Sequence, residues 1–526
     1  MRFRGFSGTI PAMNAPSRFT LTLSALALTL DSTSRAGPQE PPPEAEPARG
    51  LRVRAQGAFE GMTLFSPLLS HDVFLVDMEG EVAHTWKTDL PPAGSVYLLD
   101  DGHLLRSGRV EDNPMFRGGG IGGRIQEVDW DGKLVWDFPL ADEYQTQHHD
   151  LEPLPNGNVL AIVWEHRFAD DAREWGRDAE ALGERGLWPD AVLEIRPERP
   201  GGGEVVWEWH VWDHVIQDRD PDGPNYGSVP DHPERVDINA DHRDRPPISA
   251  AERERLEQLA RDMRAVGYTG GDDDEDGDED EDEEGAGDGA GAAPAPRRRG
   301  ADWLHTNAVD YHPGHDLIAL SVPNVNEIWV IDHSTTTDQA AGERRGRFGR
   351  GGGLLWRWGN PRTYGAGGDG DRRLFYQHDA QWVLDAAADE LRLTVFNNGG
   401  GRPDGDWSSV EELLLPFDPE RGFLREEGAA FGPSQPAWSY AAKGELYSGF
   451  ISGAQRLPNG NTLVCEGDKG RVLEVTRDGR IVWEYWNPFG GEIATTQVGG
   501  NAPPKALFRA TRIPSDHPGL AGRGLE

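Results

Sequence analysis

Residues 449–486, GFISGAQRLPNGNTLVCEGDKGRVLEVTRDGRIVWEYW, have the pattern of one small antiparallel β-sheet of four strands. Short apolar runs rich in β-branched and aromatic residues alternate with turn signals, which is typical of strands joined by hairpins. Asn459 and Gly460 mark the first clear turn, because both residue types tolerate the positive φ that a tight hairpin requires. Asp478 and Gly479 mark the second, and the last strand ends at Trp486.

The same pattern recurs along the chain. Its second half, an apolar strand, a turn and a strand that ends in Trp, appears again at residues 73–86, 125–136, 192–207, 328–356 and 413–438. Its first half appears in the stretches that begin at Ser95, His148, His305 and His378. About six repeats of short antiparallel strands predict an all-β fold, a six-bladed β-propeller, in which radial repetition leaves only short sheet edges.

The propeller is predicted to span residues 57–526. Residues 57–89 supply only the outer strands of one blade, so the ring needs an inner strand from elsewhere. Residues 506–513, ALFRATRI, are the candidate. Pairing between the two ends of the chain would then close the ring.

The N-terminal residues do not follow the repeat. Residues 1–37 resemble a secretory signal peptide, because several arginines precede an apolar run at residues 19–30 that is too short to span a membrane. Residues 38–56, rich in Pro and Glu, are predicted to be a disordered linker. We therefore expect a periplasmic or secreted protein, and a ragged cytosolic N-terminus is the alternative.

A long insertion interrupts the repeat at residues 216–301. Ser249 and Glu252 predict the start of a helix with one apolar face, which we expect to pack on the propeller as part of a lid. Residues 270–299 contain an almost wholly acidic tract. This tract matches the spacing of a calcium-binding loop, but an all-acidic segment matches any acidic pattern, so we predict a solvated, disordered insert.

Composition limits the partners of the 526-residue chain. Its formal net charge of −38 makes nucleic acid and anionic membrane surfaces unfavourable partners, since both would be repelled. The single cysteine, Cys465, excludes an intrachain disulfide and is expected to be a buried strand residue. The sequence does not determine the oligomeric state.

Polar residues recur where the first strand of a repeat would meet the central channel. Inner strands of a propeller converge on its axis, so such side chains can meet in one pocket although they are far apart in sequence. A histidine at a strand end is more often structural, but its recurrence in three repeats favours a functional site. The residues are His148, His149, Asp150, His305, Asn307, His378, Asp379, Ser452 and Gln455.

Four motifs resemble the bacterial arylsulfate sulfotransferase family. They are HHD at 148–150, DWLHTN at 302–307, NEIWVIDH at 326–333 and QHDA at 377–380. The resemblance implies a periplasmic six-bladed propeller that moves a sulfuryl group from a phenolic sulfate ester to a phenol, without a nucleotide sulfate donor, a metal or another cofactor. It also implies that a channel histidine becomes transiently sulfated. His378 matches this nucleophile, and His148, His149 and His305 with Asn307 match the supporting residues.

The chemistry of imidazole suits such a transfer. A neutral imidazole nitrogen is nucleophilic near pH 7 and can form a labile N–S bond, so that one difficult transfer becomes two easier ones with ping-pong kinetics. His305, His148 or His149 could protonate the departing phenolate and later deprotonate the incoming phenol. Asn307 could donate a hydrogen bond to the sulfuryl oxygens.

The sequence departs from the family at one position. A family arginine is expected within residues 320–324, which read LSVPN and contain none. An anionic ester needs local positive charge in an acidic protein. Arg106, Arg109, Arg509 and Arg512 are the candidates to supply it, and we predict substrate contacts from Arg106, Arg509 and Ser452 in addition to Asn307.

Two other classes of function fit the same residues. The histidines and Asp150 could surround a divalent cation in a metal-dependent hydrolase or lactonase. A non-catalytic extracellular binding propeller, in which the family site has decayed, is the second alternative.

Overall fold

The computed structural model describes residues 48–110, 112–242, 249–266, 268–269, 301–384, 390–490 and 505–525. The predicted signal peptide and the predicted acidic tract lie outside the described residues, as do residues 38–47 of the predicted linker. No helix in the described part of the chain is long and apolar enough to cross a membrane.

Short strands dominate the structure. In the first half of the chain they are β1 (Gly50–Arg54), β2 (Gly61–Pro67), β3 (Asp72–Val76), β4 (Val82–Lys87), β5 (Pro92–Leu98), β6 (Leu104–Arg109), β7 (Gly123–Val128), β8 (Leu134–Pro139), β9 (Gln145–Pro153), β10 (Val159–Glu165), β11 (Asp190–Glu198), β12 (Gly202–His210), β13 (Val215–Ile216) and β14 (Val236–Asp237). In the second half they are β15 (Ala308–His312), β16 (Leu317–Val322), β17 (Glu327–Asp332), β18 (Trp356–Trp358), β19 (His378–Trp382), β20 (Arg392–Asn397), β21 (Ser409–Leu414), β22 (Phe417–Asp418), β23 (Gly422–Phe423), β24 (Trp438–Tyr440), β25 (Gly453–Arg456), β26 (Thr462–Glu466), β27 (Arg471–Val475), β28 (Ile481–Trp486) and β29 (Leu507–Pro514).

Six antiparallel sheets form the six blades of the predicted propeller. From the inner strand outward, blade 1 is β29-β2-β3-β4, blade 2 is β5 to β8 and blade 3 is β9 to β12. Blade 4 is β15 to β18, blade 5 is β19-β20-β21-β24 and blade 6 is β25-β26-β27-β28-β1. The inner strands β29, β5, β9, β15, β19 and β25 contact one another in a closed ring. The fold class predicted from the sequence is confirmed.

Both ends of the described chain close the ring. β29 pairs antiparallel with β2, from Gly61 opposite Pro514 to Pro67 opposite Leu507, so the predicted closure is confirmed. β1 pairs with β28 and adds a fifth strand to blade 6. The sequence predicted residues 38–56 as a linker, and the part at Gly50–Arg54 is this strand. Its pairing covers the outer edge of blade 6, which would otherwise present unpaired backbone groups.

Helices are few and lie between strands. They are α1 (Ala169–Glu174), α2 (Ala250–Ala265) and α3 (Thr337–Ala340). Helix α2 is the one predicted in the insertion, and the hydroxyl of its N-cap residue Ser249 accepts a hydrogen bond from the Glu252 backbone. The insertion also contains the parallel pair β13 and β14.

The repeated tryptophan has a physical reason. In five blades the indole N–H of a tryptophan on the outermost repeat strand donates to a carbonyl of the next blade. The pairs are Trp136 to Gly202 at 2.7 Å, Trp209 to Gly352 at 2.7 Å, Trp356 to Gly432 at 2.8 Å, Trp438 to Arg477 at 2.8 Å and Trp483 to Met78 at 3.0 Å. Six apolar clusters fill the six gaps between neighbouring blades. Each tryptophan therefore joins two blades through packing and through one hydrogen bond.

We expect the ring to depend on β29. A chain that ends at Lys505 lacks the inner strand of blade 1, so the first and last blades lose their shared contacts and cooperative unfolding should be lost. Circular dichroism and thermal unfolding measure this. A chain that begins at Ala48 keeps every described residue and is the control. A cooperative transition with an unchanged midpoint in the chain that ends at Lys505 would contradict the role of β29.

Candidate active site

The predicted site residues lie where the inner strands begin. His148 and His149 are on β9, His305 precedes β15 and His378 is the first residue of β19. Several residues at these strand starts have the left-handed backbone conformation, which non-glycine residues rarely adopt. They are His149 at φ 54°, His305 at φ 58°, Asp379 at φ 59° and Ser452 at φ 89°. Such conformations cost free energy, and their recurrence around one channel indicates a functional constraint.

Three of the histidines belong to one hydrogen-bonded chain. The Nδ1 atoms of His148 and His149 lie 2.7 Å apart. The Nε2 atom of His149 lies 2.7 Å from the hydroxyl oxygen of Tyr268, and that oxygen lies 3.4 Å from Nε2 of His305. The His149 and His305 rings meet edge to face, with centroids 4.4 Å apart. The structure therefore brings these histidines into one cluster and adds Tyr268 to it.

Carboxylates lie at both ends of this chain. Asp302 bonds Nδ1 of His305, and an oxygen of Asp190 lies 3.5 Å from Nε2 of His148. Burial would lower the pKa of His305, but the charge of Asp302 and its hydrogen bond outweigh burial and raise this pKa above the ordinary value. Asp302 therefore favours the protonated form of His305. In this form Nε2 carries a hydrogen and can donate to the Tyr268 oxygen, 3.4 Å away.

The direction of the remaining bonds follows from this charge. Burial raises the pKa of Tyr268 and lowers that of His149 far below its usual value, so the phenol stays protonated and the imidazole stays neutral. The Tyr268 oxygen accepts from His305 and donates to Nε2 of His149. His149 then carries its hydrogen on Nδ1 and donates to His148. The chain thus joins His305 to His148 through Tyr268 and His149.

His378 lies beside this chain in a different state. Its side chain is 5% exposed, and burial lowers its pKa to about 3, more than the hydrogen bond from Nδ1 to Asn398 raises it. The positive charges of His305 and Arg509 lower this pKa further. Phe508 contacts both rings, with its centroid 6.4 Å from that of His378 and 6.1 Å from that of His149. His378 is therefore a neutral imidazole at the channel wall.

Asn398 determines which nitrogen of His378 is free. Both hydrogens of the Asn398 amide nitrogen are donated, to the carbonyls of Ser448 at 2.8 Å and Ile451 at 2.9 Å. The amide oxygen therefore faces Nδ1 of His378, at 2.8 Å, and can only accept. Nδ1 carries the proton, and the lone pair is on Nε2. This buried Nε2 has no hydrogen-bond partner among the described residues.

Arg509, predicted to contact substrate, bonds two buried carboxylates. From the closing strand β29 its guanidinium lies 3.0 Å from Asp150 and 2.8 Å from Asp379, and it donates to the Tyr97 hydroxyl at 3.2 Å. Asp150 and Asp379 directly follow His149 and His378 in sequence. Most of the charge of Arg509 is thus balanced beside the histidines.

The other predicted binding residues hold the backbone around the site. The Asn307 amide nitrogen donates to the Gln377 carbonyl at 2.9 Å, which fixes the residue before His378, while its buried Oδ1 has no hydrogen-bond partner in the described part of the chain. The Ser452 hydroxyl accepts from the Gly467 backbone at 2.9 Å. Arg106 makes its contacts within blade 2, at 2.6 Å to Gln126 and 2.7 Å to the Leu90 carbonyl.

A glycine-rich loop packs directly on the cluster. A Cβ atom on Gly120, where φ is +74°, would lie 2.3 Å from Nε2 of His149, and one on Gly119 would lie 2.4 Å from the Tyr268 ring. The Gly120 carbonyl accepts from the His149 backbone at 2.6 Å. Only glycine permits this approach.

Helix α2 and Tyr268 cover the channel as a cap. Leu259, Met263 and Val266 of this cap pack, partly buried, on a cluster that includes Phe450, Phe508 and Tyr268 itself. No residue of α2 is fully buried. The predicted packing of α2 on the propeller is therefore present, and Tyr268, which follows this helix, contacts the histidines.

Sequence reasoning missed several residues that decide the properties of the site. Asp302 stands within the DWLHTN motif and Asn398 follows strand β20, so both were visible but had no assigned partner. Trp164 stacks on His148, with centroids 4.1 Å apart and an angle of 10° between the rings. Tyr268 had no signal, because its neighbours in the cluster are more than 30 residues away.

The nitrogen atoms of the clustered histidines do not converge on one point. Among the described residues, only Asp101, His103 and Glu127 place three or more donor atoms of His, Cys, Asp or Glu within 4.8 Å of one another. That group includes the turn between β5 and β6 and is not part of the histidine cluster. The nitrogens of the cluster bond one another, Tyr268 and the carboxylates instead.

Comparisons with solved structures give weak likenesses. A protein of unknown function from Bacteroides caccae is 9% identical at a TM-score of 0.40, over 86% of this chain and 98% of that chain. A putative 6-phosphogluconolactonase from Bacteroides uniformis ATCC 8492 is 12% identical at a TM-score of 0.34, over 87% of this chain and 100% of that chain. Hydrazine synthase from Kuenenia stuttgartiensis is 9% identical at a TM-score of 0.31, over 82% of this chain and 80% of that chain. At these values the likenesses carry no argument about function.

A comparison with protein families is decisive where the other comparisons are not. No curated protein matches the chain significantly. The family model described as Arylsulfotransferase (ASST) matches residues 60–412, which is more than half of the chain. The match includes strands β2 to β4 of blade 1, blades 2 to 4, His378 and Asn398. The chain belongs to the arylsulfotransferase (ASST) family.

Proposed function

We propose that this protein transfers a sulfuryl group from a phenolic sulfate ester to a phenolic acceptor through a sulfated His378, without a nucleotide sulfate donor. The observation that carries the proposal is the Nε2 atom of His378, which is buried, neutral and free of hydrogen-bond partners among the described residues. A nitrogen in this state has a lone pair that is available for attack. Family membership supports the same class of reaction.

In the first half of the reaction, Nε2 of His378 attacks the sulfur of the ester. The bond between sulfur and the aryl oxygen breaks, and the phenolate oxygen takes its electron pair. The His305 imidazolium, whose pKa Asp302 raises, donates the Nε2 proton to this oxygen. Release of the phenol leaves the sulfuryl group bound to Nε2 of His378.

In the second half the roles reverse. An incoming phenol attacks the sulfur, the N–S bond breaks and His378 regains its lone pair. His305, now neutral at Nε2, takes the phenol proton and returns to the imidazolium. The two half-reactions share one set of residues, which is the basis of the expected ping-pong kinetics.

Positive charge for the anionic ester comes from within the cluster. The family arginine expected at residues 320–324 is absent from the sequence, and the guanidinium of Arg509 is paired with Asp150 and Asp379. Imidazolium His305 is the charged group that remains beside His378. We propose that it supports the sulfuryl group as well as the leaving oxygen, and that the protein acts in the periplasm or outside the cell.

Replacement of the nucleophile should abolish transfer. His378→Ala removes the attacking nitrogen, so release of 4-nitrophenolate from 4-nitrophenyl sulfate with phenol as acceptor should fall by about 10⁴-fold or more. His214→Ala is the matched control, because His214 is also buried but bonds the Ala340 carbonyl outside the cluster. Wild-type rates in a folded His378→Ala protein would exclude this mechanism.

The pH dependence should follow the Asp302 and His305 pair. The carboxylate raises the pKa of His305, so general acid catalysis is present at low pH and is lost as pH rises through this raised value. Asp302→Asn lowers the pKa of His305, so the decline of activity with rising pH should begin at lower pH. The loss of activity should be larger for phenyl sulfate than for 4-nitrophenyl sulfate. Asp316→Asn, which alters the separate Asp316 and His333 pair, is the control. An unshifted profile for Asp302→Asn would remove His305 from the acid role.

A carboxylate in place of the Asn398 amide should make His378 titratable. Asn398→Asp places a carboxylate at Nδ1 and raises the pKa of His378 from about 3, so that the imidazole becomes charged in mildly acidic solution. We expect a new loss of activity as pH falls below neutrality, measured as a pH profile of kcat/KM. Asn397→Asp changes the neighbouring buried amide, which bonds the Phe375 and Arg373 backbone, and should not create this acidic limb. An identical acidic limb in both variants would indicate a general structural effect.

A further inference from the structure

Tyr268 places a phenol inside the active site. Its side chain is 3% exposed, and its hydroxyl oxygen lies 2.7 Å from Nε2 of His149 and 3.4 Å from Nε2 of His305. An acceptor phenol in the second half-reaction needs its oxygen within hydrogen-bond reach of the base that takes its proton. The Tyr268 hydroxyl already has this position. The side chain also carries the same functional group as the proposed acceptor.

The surroundings of the Tyr268 ring form a binding site for an aromatic ring. Gly119 lies against one part of the ring, closely enough that a Cβ atom there would be 2.4 Å to 2.9 Å from ring atoms. Phe450 lies on the ring with centroids 5.7 Å apart, and Phe508 belongs to the same apolar cluster. Phe508 also contacts both His149 and His378, with centroids 6.1 Å and 6.4 Å away. Ring and hydroxyl are therefore both accommodated beside His149 and His305, on the apolar cluster that reaches His378 through Phe508.

Tyr268 itself is buried, but the helix before it is only partly buried. The apolar side chains of α2 and its C-cap that pack on the same cluster are the partly buried Leu259, Met263 and Val266. Displacement of the cap by a donor ester would expose these side chains and the Tyr268 ring. When the cap returns, the phenol comes back to the histidines.

We propose that Tyr268 occupies the acceptor subsite and is itself sulfated by His378 when no external phenol is bound. This inference rests on the proposed function, because the sulfuryl group comes from the donor ester through His378. The Tyr268 oxygen attacks the sulfur, an O–S bond forms, and the N–S bond breaks with its electron pair returning to Nε2 of His378. The phenol proton passes to Nε2 of His305, which Asp302 makes a stronger base than His149. The product is a tyrosine O-sulfate at residue 268 and a free His378.

The experiment uses the full chain with 4-nitrophenyl sulfate and no added phenol. The reaction is stopped without acid, because the N–S bond of a sulfated histidine is labile, and peptides are analysed by mass spectrometry. We expect one SO₃ group on the peptide that contains Tyr268. Because the transfer frees His378 for a second donor, the wild type should release a second equivalent of 4-nitrophenolate per chain. Added phenol should compete and reduce the modification of Tyr268.

Variants separate this inference from the proposed function. The Tyr268→Phe variant should release only the first equivalent of 4-nitrophenolate per chain. Its SO₃ group should remain on the peptide that contains His378. Tyr447→Phe, which changes a phenol near Gly449 and Leu259 outside the hydrogen-bonded chain, should behave as the wild type. His378→Ala should release no equivalent and carry no SO₃ group.

Two results would overturn the inference in different ways. If His378 is sulfated and 4-nitrophenolate is released, but the Tyr268 peptide stays unmodified, Tyr268 is not an acceptor and the proposed function stands. If the wild type releases no 4-nitrophenolate, the proposed function fails and the inference fails with it.

Discussion

The structure depends on one buried ion pair network in the channel. Arg509, on the strand that closes the ring, lies 3.0 Å from Asp150 of blade 3 and 2.8 Å from Asp379 of blade 5. Burial lowers the pKa of such a guanidinium, but the two carboxylates outweigh burial and raise it well above its ordinary value. Loss of one partner in a buried pair costs about 3 to 5 kcal/mol, because it leaves an uncompensated charge. The C-terminal strand is therefore joined to both sides of the ring.

The same network positions the chemistry. His149 and His378 are each followed directly by one of these aspartates. The guanidinium therefore holds the backbone of each histidine through the adjacent residue. Further side chains of inner strands bond the backbone of the next blade. The Asp150 carboxylate accepts from the Val309 backbone N–H at 3.2 Å, and the Asp379 carboxylate accepts from the Ala454 backbone N–H at 2.8 Å. The Gln455 side-chain oxygen accepts from the Arg512 backbone N–H at 2.7 Å. Residues more than 200 positions apart are thereby held in one arrangement.

Equivalent imidazoles have different properties in this arrangement. Asp302 raises the pKa of His305, whereas burial lowers the pKa of His378 to about 3 in spite of the hydrogen bond to Asn398. The difference comes from a carboxylate on one ring and an amide on the other, so that one residue type can supply both the proposed nucleophile and the proposed acid. Tyr268 joins His305 to His149. The insertion that supplies it is therefore part of the candidate site and not only a cover.

The sequence by itself determined the repeat, the turns, the closing strand, the capped helix α2 and the histidines of the inner strands. These features are local or recur at fixed positions, so composition, spacing and motif are enough to find them. Only the tertiary structure decided that Gly50–Arg54 extends blade 6, that Arg509 bonds Asp150 and Asp379, that Asn398 leaves Nε2 of His378 free, and that Tyr268 bridges two histidines. The physical reason is that each of these contacts joins residues far apart in sequence that only the folded ring brings together. Their distances depend on the radius of the ring and on side-chain rotamers, which no local pattern encodes.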